Sequence, residues 1–268
     1  MKNRVPILLY HSVSNEAAPR YRAFAVAPRS FSAQMAHLRE VAYCPITVSE
    51  FVAVIDGSAS QLPARPVVIT FDDALCDFYT AALPVLQHHG FMATLYIPTT
   101  FVGQRARWLR SVGEANRAVM GWPQIAEASR SEIEIGAHGH RHVQLDTLTI
   151  AGAREQVLHS KSVLEDKLGK QVNTFSYPHG YYNSTVRQLV QEAGYRSACA
   201  VKHAMSSLED DRWALSRIVV GAGTSVEDFA GLLQGHGIRP APTRERVQTK
   251  VWRMVRRLAA SIERGGTR

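Results

Sequence analysis

The stretch Val67-Val68-Ile69-Thr70-Phe71-Asp72-Asp73 runs from a nearly continuous apolar segment straight into two adjacent carboxylates. The lack of alternation marks a strand buried on both faces, the habit of a parallel sheet. Two carboxylates where such a strand ends are expensive to enclose without partners. A strand-end turn with a helix cap is one account of them; a metal-binding or catalytic pair is the stronger one. Successive side chains diverge along the chain, so the two can serve one site in different ways.

Outward from this stretch the same kind of element recurs. Val5–Tyr10, Thr94–Ile97, Ile133–Ala137, Thr174–Tyr177, Arg196–Val201 and Ile218–Val220 are further candidate strands. Helical patterns with readable ends lie between them. Ser30 caps a helix carrying Phe31, Met35 and Leu38, Ser49 caps Glu50–Ile55, and Asp77–His89 ends at Gly90. Thr149–Leu168 ends at Gly169, Asn183–Ala193 ends at Gly194, and Ser225 caps Val226–Leu233. Such alternation implies right-handed βαβ units in one α/β domain spanning residues 1–235. A closed or nearly closed barrel and an open doubly wound sheet both fit. No G-x-G-x-x-G or phosphate loop follows the first strand, so a nucleotide-binding sheet lacks support. Thr99–Gly121 is a long, arginine-rich insertion, and insertions of this length often line a site.

The reactive residue types fall where these strands end. His11 follows the first, Asp72 and Asp73 the second, His138 and His142 the strand Ile133–Ala137, and Pro178-His179 the strand at Thr174. In parallel α/β folds the carboxyl ends of the strands share one rim, and active sites are built there. His138 and His142 stand four apart, close enough to hold one ion. Two neutral imidazoles and one carboxylate, with a position left for water, suit catalytic zinc or a similar divalent ion.

These motifs resemble the polysaccharide deacetylase family (carbohydrate esterase family 4, the NodB homology domain). Its T-F-D-D motif stands as Thr70-Phe71-Asp72-Asp73, its H-x-x-x-H as His138 to His142, and its Pro-aromatic-Gly turn is similar to Tyr177-Pro178-His179-Gly180. The opening ILLYHSV, the later SFSAQMAHLRE and the final LSRI look most like the branch acting in exopolysaccharide synthesis. The resemblance implies a distorted (β/α)7 barrel and one divalent ion held by Asp73, His138 and His142, zinc first and cobalt, nickel or manganese as substitutes. It implies Asp72 as general base, and an oxyanion site at the His179 backbone N–H. The substrate it implies is an N-acetylated amino-sugar polymer or a lipid-linked oligosaccharide. The family's arginine two residues before the proline is Ser176 here, and Arg217 is the replacement expected to face Asp72. The late L-x-H reads Leu215-Ser216-Arg217, so the usual acid is missing. His11 is its expected substitute, because imidazole titrates near neutral pH. The glycine that often follows D-D is Ala74, and Gly139 follows the first metal histidine. Tyr177, Pro178, His179 and Trp213 are expected to contact substrate, with Trp108 and Trp122 as further candidate walls. A metal-dependent amidase acting on a non-sugar amide, and a catalytically silent carbohydrate-binding relative, are the rival readings.

Composition narrows the field further. In 268 residues, 46% are hydrophobic and 20% charged, the balance of a soluble globular chain. Cys44, Cys76 and Cys199 are sparse and unpaired in spacing, which fits a reducing compartment. With no long apolar run and no leader-like start, a cytoplasmic location is expected. Most of the net charge of +8 sits from Arg239 onward. The folded domain therefore lacks the basic stripe that nucleic-acid binding requires. Residues 236–268 form a separate basic tail, with Val247, Val251, Val255, Leu258 and Ile262 at helical spacing. Such a helix could lie on an anionic membrane surface, and docking on the barrel fits the same spacing.

Overall fold

A computed structural model describes residues 4–238 together with Trp252, Arg253, Val255 and Arg256. Its centre is an eight-stranded parallel sheet. In chain order the strands are β1 (Ile7–Tyr10), β2 (Cys44–Ile46), β3 (Pro66–Phe71), β4 (Ala93–Ile97), β5 (Ile133–Ala137), β6 (Thr174–Ser176), β7 (Ser197–Cys199) and β8 (Ile218–Val219). Their spatial order is β7-β6-β5-β4-β3-β1-β8, with β2 pairing the first half of β3. The two edges of the curled sheet meet through Leu215. It bridges Cys199, with its amide donating to Ala198 O at 3.0 Å and its carbonyl accepting from the Ala200 amide at 2.9 Å. The fold is thus an α/β barrel in a single domain, distorted because one short bridge closes it. β2 was not expected from the sequence, since Pro45 in its middle argues against a strand. Sitting on an edge, it tolerates the missing donor.

Between residues 4 and 238 seven α-helices cover the sheet: α1 (Pro28–Glu40), α2 (Val48–Ile55), α3 (Leu83–His89), α4 (Trp122–Arg130), α5 (Ile150–Leu168), α6 (Ser184–Glu192) and α7 (Val226–Leu233). Ser225 caps α7 through its side chain, as expected, and Thr149 and Asn183, expected as the first residues of their helical segments, cap α5 and α6. Two expected starts move. α1 begins at Pro28, before Ser30, because proline is pre-shaped for the first helical position. α2 begins with a capping box in which Thr47, not Ser49, exchanges hydrogen bonds with Glu50. The expected helix Asp77–His89 opens instead as a wide π turn over Phe78–Ala82 and tightens only at α3. Pro84 has no N–H to return to the preceding turn, and the wide turn absorbs the defect.

The basic tail expected over residues 236–268 falls largely outside the described residues. Among the described residues no helix is long and apolar enough to cross a membrane.

Candidate metal centre and active site

Four strand ends deliver the polar cluster. Asp72 and Asp73 follow β3, His138 and His142 follow β5, Pro178-His179 follows β6, and His11 follows β1. Asp73 takes a left-handed backbone, with φ 77°. The chain therefore turns between the two carboxylates, so Asp72 meets the core while Asp73 faces the histidines.

His142 Nε2 stands 3.1 Å from Asp73 Oδ1 and 3.2 Å from His138 Nε2. His138 Nε2 stands 3.8 Å from the same Asp73 oxygen. Ligand atoms around a tetrahedral zinc at bond lengths of about 2.0–2.1 Å are about 3.4 Å apart, so this spacing suits one ion. The protonation chemistry also fits. His138 Nδ1 donates to the backbone oxygen of Ser176 at 2.8 Å, leaving its lone pair on Nε2. Burial pushes the His138 pKa down to about 4 against the pull of Asp72 and Asp73, so the ring is neutral near pH 7. Burial would raise the Asp73 pKa, but His142 and the other imidazoles hold it well below the usual carboxylate range. Asp73 Oδ1 is buried without a well-aligned hydrogen-bond donor. An unsatisfied anionic oxygen beside two available lone pairs is a donor set for a divalent cation.

Asp72 is held differently. Arg217 donates from Nη1 to Oδ1 at 2.7 Å and from Nη2 to Oδ2 at 2.8 Å, a two-pronged charged pair. The Arg217 side chain is 0% exposed. Its Nε donates to Ala200 O, Nη1 also reaches Thr70 Oγ1, and Nη2 reaches Ser176 Oγ. Ser176 Oγ in turn stands 3.3 Å from Asp72 Oδ2. Where the resemblance implies an arginine, a serine hydroxyl thus joins the pair formed by Arg217. Burial raises the Asp72 pKa, yet the opposing Arg217 and His138 bring it below the usual value. Its Oδ2 faces the cluster, 3.7 Å from His138 Nε2.

A family model described as polysaccharide deacetylase matches residues 59–198, just over half of the chain. The chain belongs to the polysaccharide deacetylase family. Among its relatives is a Bacillus subtilis polysaccharide deacetylase, YxkH, 27% identical over 233 residues, covering 86% of this chain and 76% of that protein. Another is the Escherichia coli poly-β-1,6-N-acetyl-D-glucosamine N-deacetylase, 23% identical over 252 residues. That match takes in 82% of this chain but only 37% of the longer E. coli protein. The structure of the Streptococcus pyogenes deacetylase PplD in complex with acetate superposes with a TM-score of 0.74, at 24% identity, covering 86% of this chain and 98% of that one. At that identity the likeness supports the fold.

Around this deacetylase-family core the remaining candidates separate. His11 lies within electrostatic reach of Asp72, Asp73 and His142, and burial lowers its pKa. The His179 ring centroid is 4.7 Å from that of His142, so the ring turns toward the cluster although the residue is exposed. Loss of water around the ring, together with the neighbouring His142, lowers its pKa. Trp108, from the insertion, packs on the other side of His142 at 5.1 Å and on Phe101 at 4.6 Å. Pro178 is buried at the base of its turn. One expectation is corrected. Tyr177 cannot line a substrate surface: its ring is fully buried, stacked on Tyr182, and its hydroxyl donates to Trp213 O at 2.9 Å. Trp213 is half-buried, with the Arg212 guanidinium 4.2 Å over its ring and Arg187 at 5.9 Å. Trp122 begins α4 and packs against the core. The sequence reading missed Asp77. It is half-buried after the D-D motif and pairs with Ser12 Oγ and Arg117 Nη1, both at 2.7 Å. Its only sequence signal was its place five residues beyond Asp72.

Proposed function

We propose that this chain hydrolyses N-acetyl groups from amino sugars of a poly- or oligosaccharide, using one divalent ion, zinc by preference, held by Asp73, His138 and His142. The observation that carries the reading is the convergence of those three donor atoms beside a second, arginine-paired carboxylate. A divalent ion bound there supplies Lewis acidity and lowers the pKa of water. Asp72, kept ionised by Arg217, accepts the proton of the attacking water through Oδ2. The His179 backbone N–H meets the developing oxyanion in this reading. The leaving amine departs with a proton from His11, the imidazole at the end of β1. Burial lowers the His11 pKa against the pull of Asp73 and Asp72, so the proton-donating form is lost as pH rises and turnover should fall with it. Trp108 walls the site beside His142 and limits access of bulk water.

Metal analysis paired with acetate release from N-acetylglucosamine oligomers tests this reading. One ion per chain and stoichiometric acetate are expected, both lost in Asp73→Ala. Cleavage of a non-sugar amide without acetate release, or sugar binding without turnover, would replace the reading by one of its rivals.

A further inference from the structure

Beyond Ile238 the described residues Trp252, Arg253, Val255 and Arg256 lie against the rim of the site. Arg256 is 7% exposed and donates from Nη1 and Nη2 to the two Asp146 oxygens at 2.9 and 2.8 Å. Its Nη1 also reaches Gln144 Oε1 at 3.0 Å, and the guanidinium lies 3.8 Å over the Tyr181 ring. Arg253 donates from Nε to Asp146 Oδ2 at 2.9 Å and from Nη2 to Tyr182 O at 3.3 Å. Trp252 Nε1 donates to the Tyr181 hydroxyl at 3.3 Å. Asp146 itself is 1% exposed, and no step of the proposed reaction uses it.

The places of these partners in the chain give the contact its meaning. Gln144 and Asp146 follow His142 on the loop after β5; Tyr181 and Tyr182 follow His179 on the loop after β6. His142 and His179 both hold left-handed backbones, with φ 50° and 59°. Non-glycine residues keep such conformations only where their surroundings impose them. A two-pronged pair buried from solvent is directional and little screened by salt, which suits it to fix one loop against another. Arg253 and Arg256, being spent on Asp146, are also withdrawn from any lipid headgroup.

We propose that Trp252, Arg253 and Arg256 form a strap across the rim, in which Arg253 and Arg256 act through Asp146 as positioning residues for the loops bearing His142 and His179. The inference rests on the proposed site for its catalytic consequence. Its structural consequence is independent of the substrate.

The test uses the full chain with Arg256→Ala, Arg256→Lys, Asp146→Asn and the exposed control Val255→Ser. Amide hydrogen exchange is followed over residues 138–148 and 178–183 without substrate. Zinc affinity is read by competition with a chelator, and kcat and KM from acetate release. Arg256→Ala and Asp146→Asn should each cut protection in both loops by about tenfold or more while β3 and β4 stay protected. Zinc affinity should weaken, and kcat should fall about 10–100-fold with a smaller change in KM, as misplacement of reacting groups predicts. Arg256→Lys, which keeps the charge and loses the fork, should lie between, and Val255→Ser should match the native chain. The double variant Asp146→Asn/Arg256→Ala should be no worse than either single one. Loss of protection confined to residues 252–256, or a rise in KM alone with both loops still protected, would overturn the strap. Should Arg256→Ala lose protection throughout the sheet, Arg256→Lys decides by the same two-loop criterion. Absence of acetate release by the native chain, with both loops loosened in the variants, would sink the proposed function and leave the strap standing.

Discussion

Arg217 shows how a side chain can act far from where its backbone lies. Its backbone sits just before β8, yet its guanidinium reaches across the barrel to Asp72 after β3. A lysine could carry the charge but not the fork that satisfies both carboxylate oxygens and Ser176 together. Removing one partner of a buried pair strands the other, at about 3–5 kcal/mol. Arg217→Ala should therefore lower stability by that order in denaturant unfolding. It should also remove the group that lowers the Asp72 pKa. Because the base works only when ionised, the acid limb of the pH–rate profile should move to higher pH in Arg217→Ala; an unmoved limb would assign it to another group. Asp72→Asn should keep the ion and lose about 10²–10⁴-fold in turnover, since an amide takes no proton. A loss below about tenfold would remove Asp72 from that role. The cluster residues were legible in the sequence because each ends a strand. The Arg117–Asp77 pair was not, because neither residue carries a motif and only folding brings the insertion against the loop after β3.

The strands position the site through their packing. Gly136 in β5, two residues before His138, faces Tyr96 of β4 and Thr174 of β6 so closely that a Cβ would lie 2.5 Å from the tyrosine ring and 2.9 Å from the threonine methyl. Tyr96 is fully buried, and its hydroxyl pairs with Thr174 Oγ1 at 2.8 Å, so the ring has no room to retreat. Gly136→Ala should cost about 1–3 kcal/mol by overpacking and shift β5 enough to weaken metal binding. Unfolding in urea and metal titration on the same variant check both. Equal stability would mean that the strands part more easily than this packing implies. The sequence pattern located this strand, as it did every other strand of the central sheet but β2. It could not show that a glycine there serves close approach between strands rather than a turn. The start of α6 was legible near Asn183, whose side chain caps it. The starts of α1 and α2 moved earlier, because Pro28 and the Thr47–Glu50 capping box set the geometry ahead of the expected serines.

At the scale of the molecule, the barrel fixes the rim and the long excursions from it build the walls. Periodicity could find the strands because burial on both faces writes itself into each one, whereas their closure into a barrel was implied by the family resemblance. The walls depend on pairings between distant segments that no local pattern records. Arg117, in the insertion, pairs with Asp77 at 2.7 Å and Glu114 at 3.2 Å, and reaches Ser12 Oγ at 2.8 Å. It therefore ties the insertion that carries Trp108 to the loop after β1 and the loop after β3. Burial raises the Asp77 pKa, while Ser12, Val13 and Arg117 pull it down. Arg117→Ala should raise it further and lower stability at neutral pH by about 2–4 kcal/mol. The sign of the pH dependence follows. A carboxyl whose folded pKa lies above its unfolded value binds more protons in the folded state, so stability rises as pH falls through that folded value. The deficit of Arg117→Ala relative to the native chain should thus be largest near pH 7 and shrink toward pH 5. Urea unfolding at both values measures it, and equal deficits would mean that Asp77 keeps its charge without Arg117.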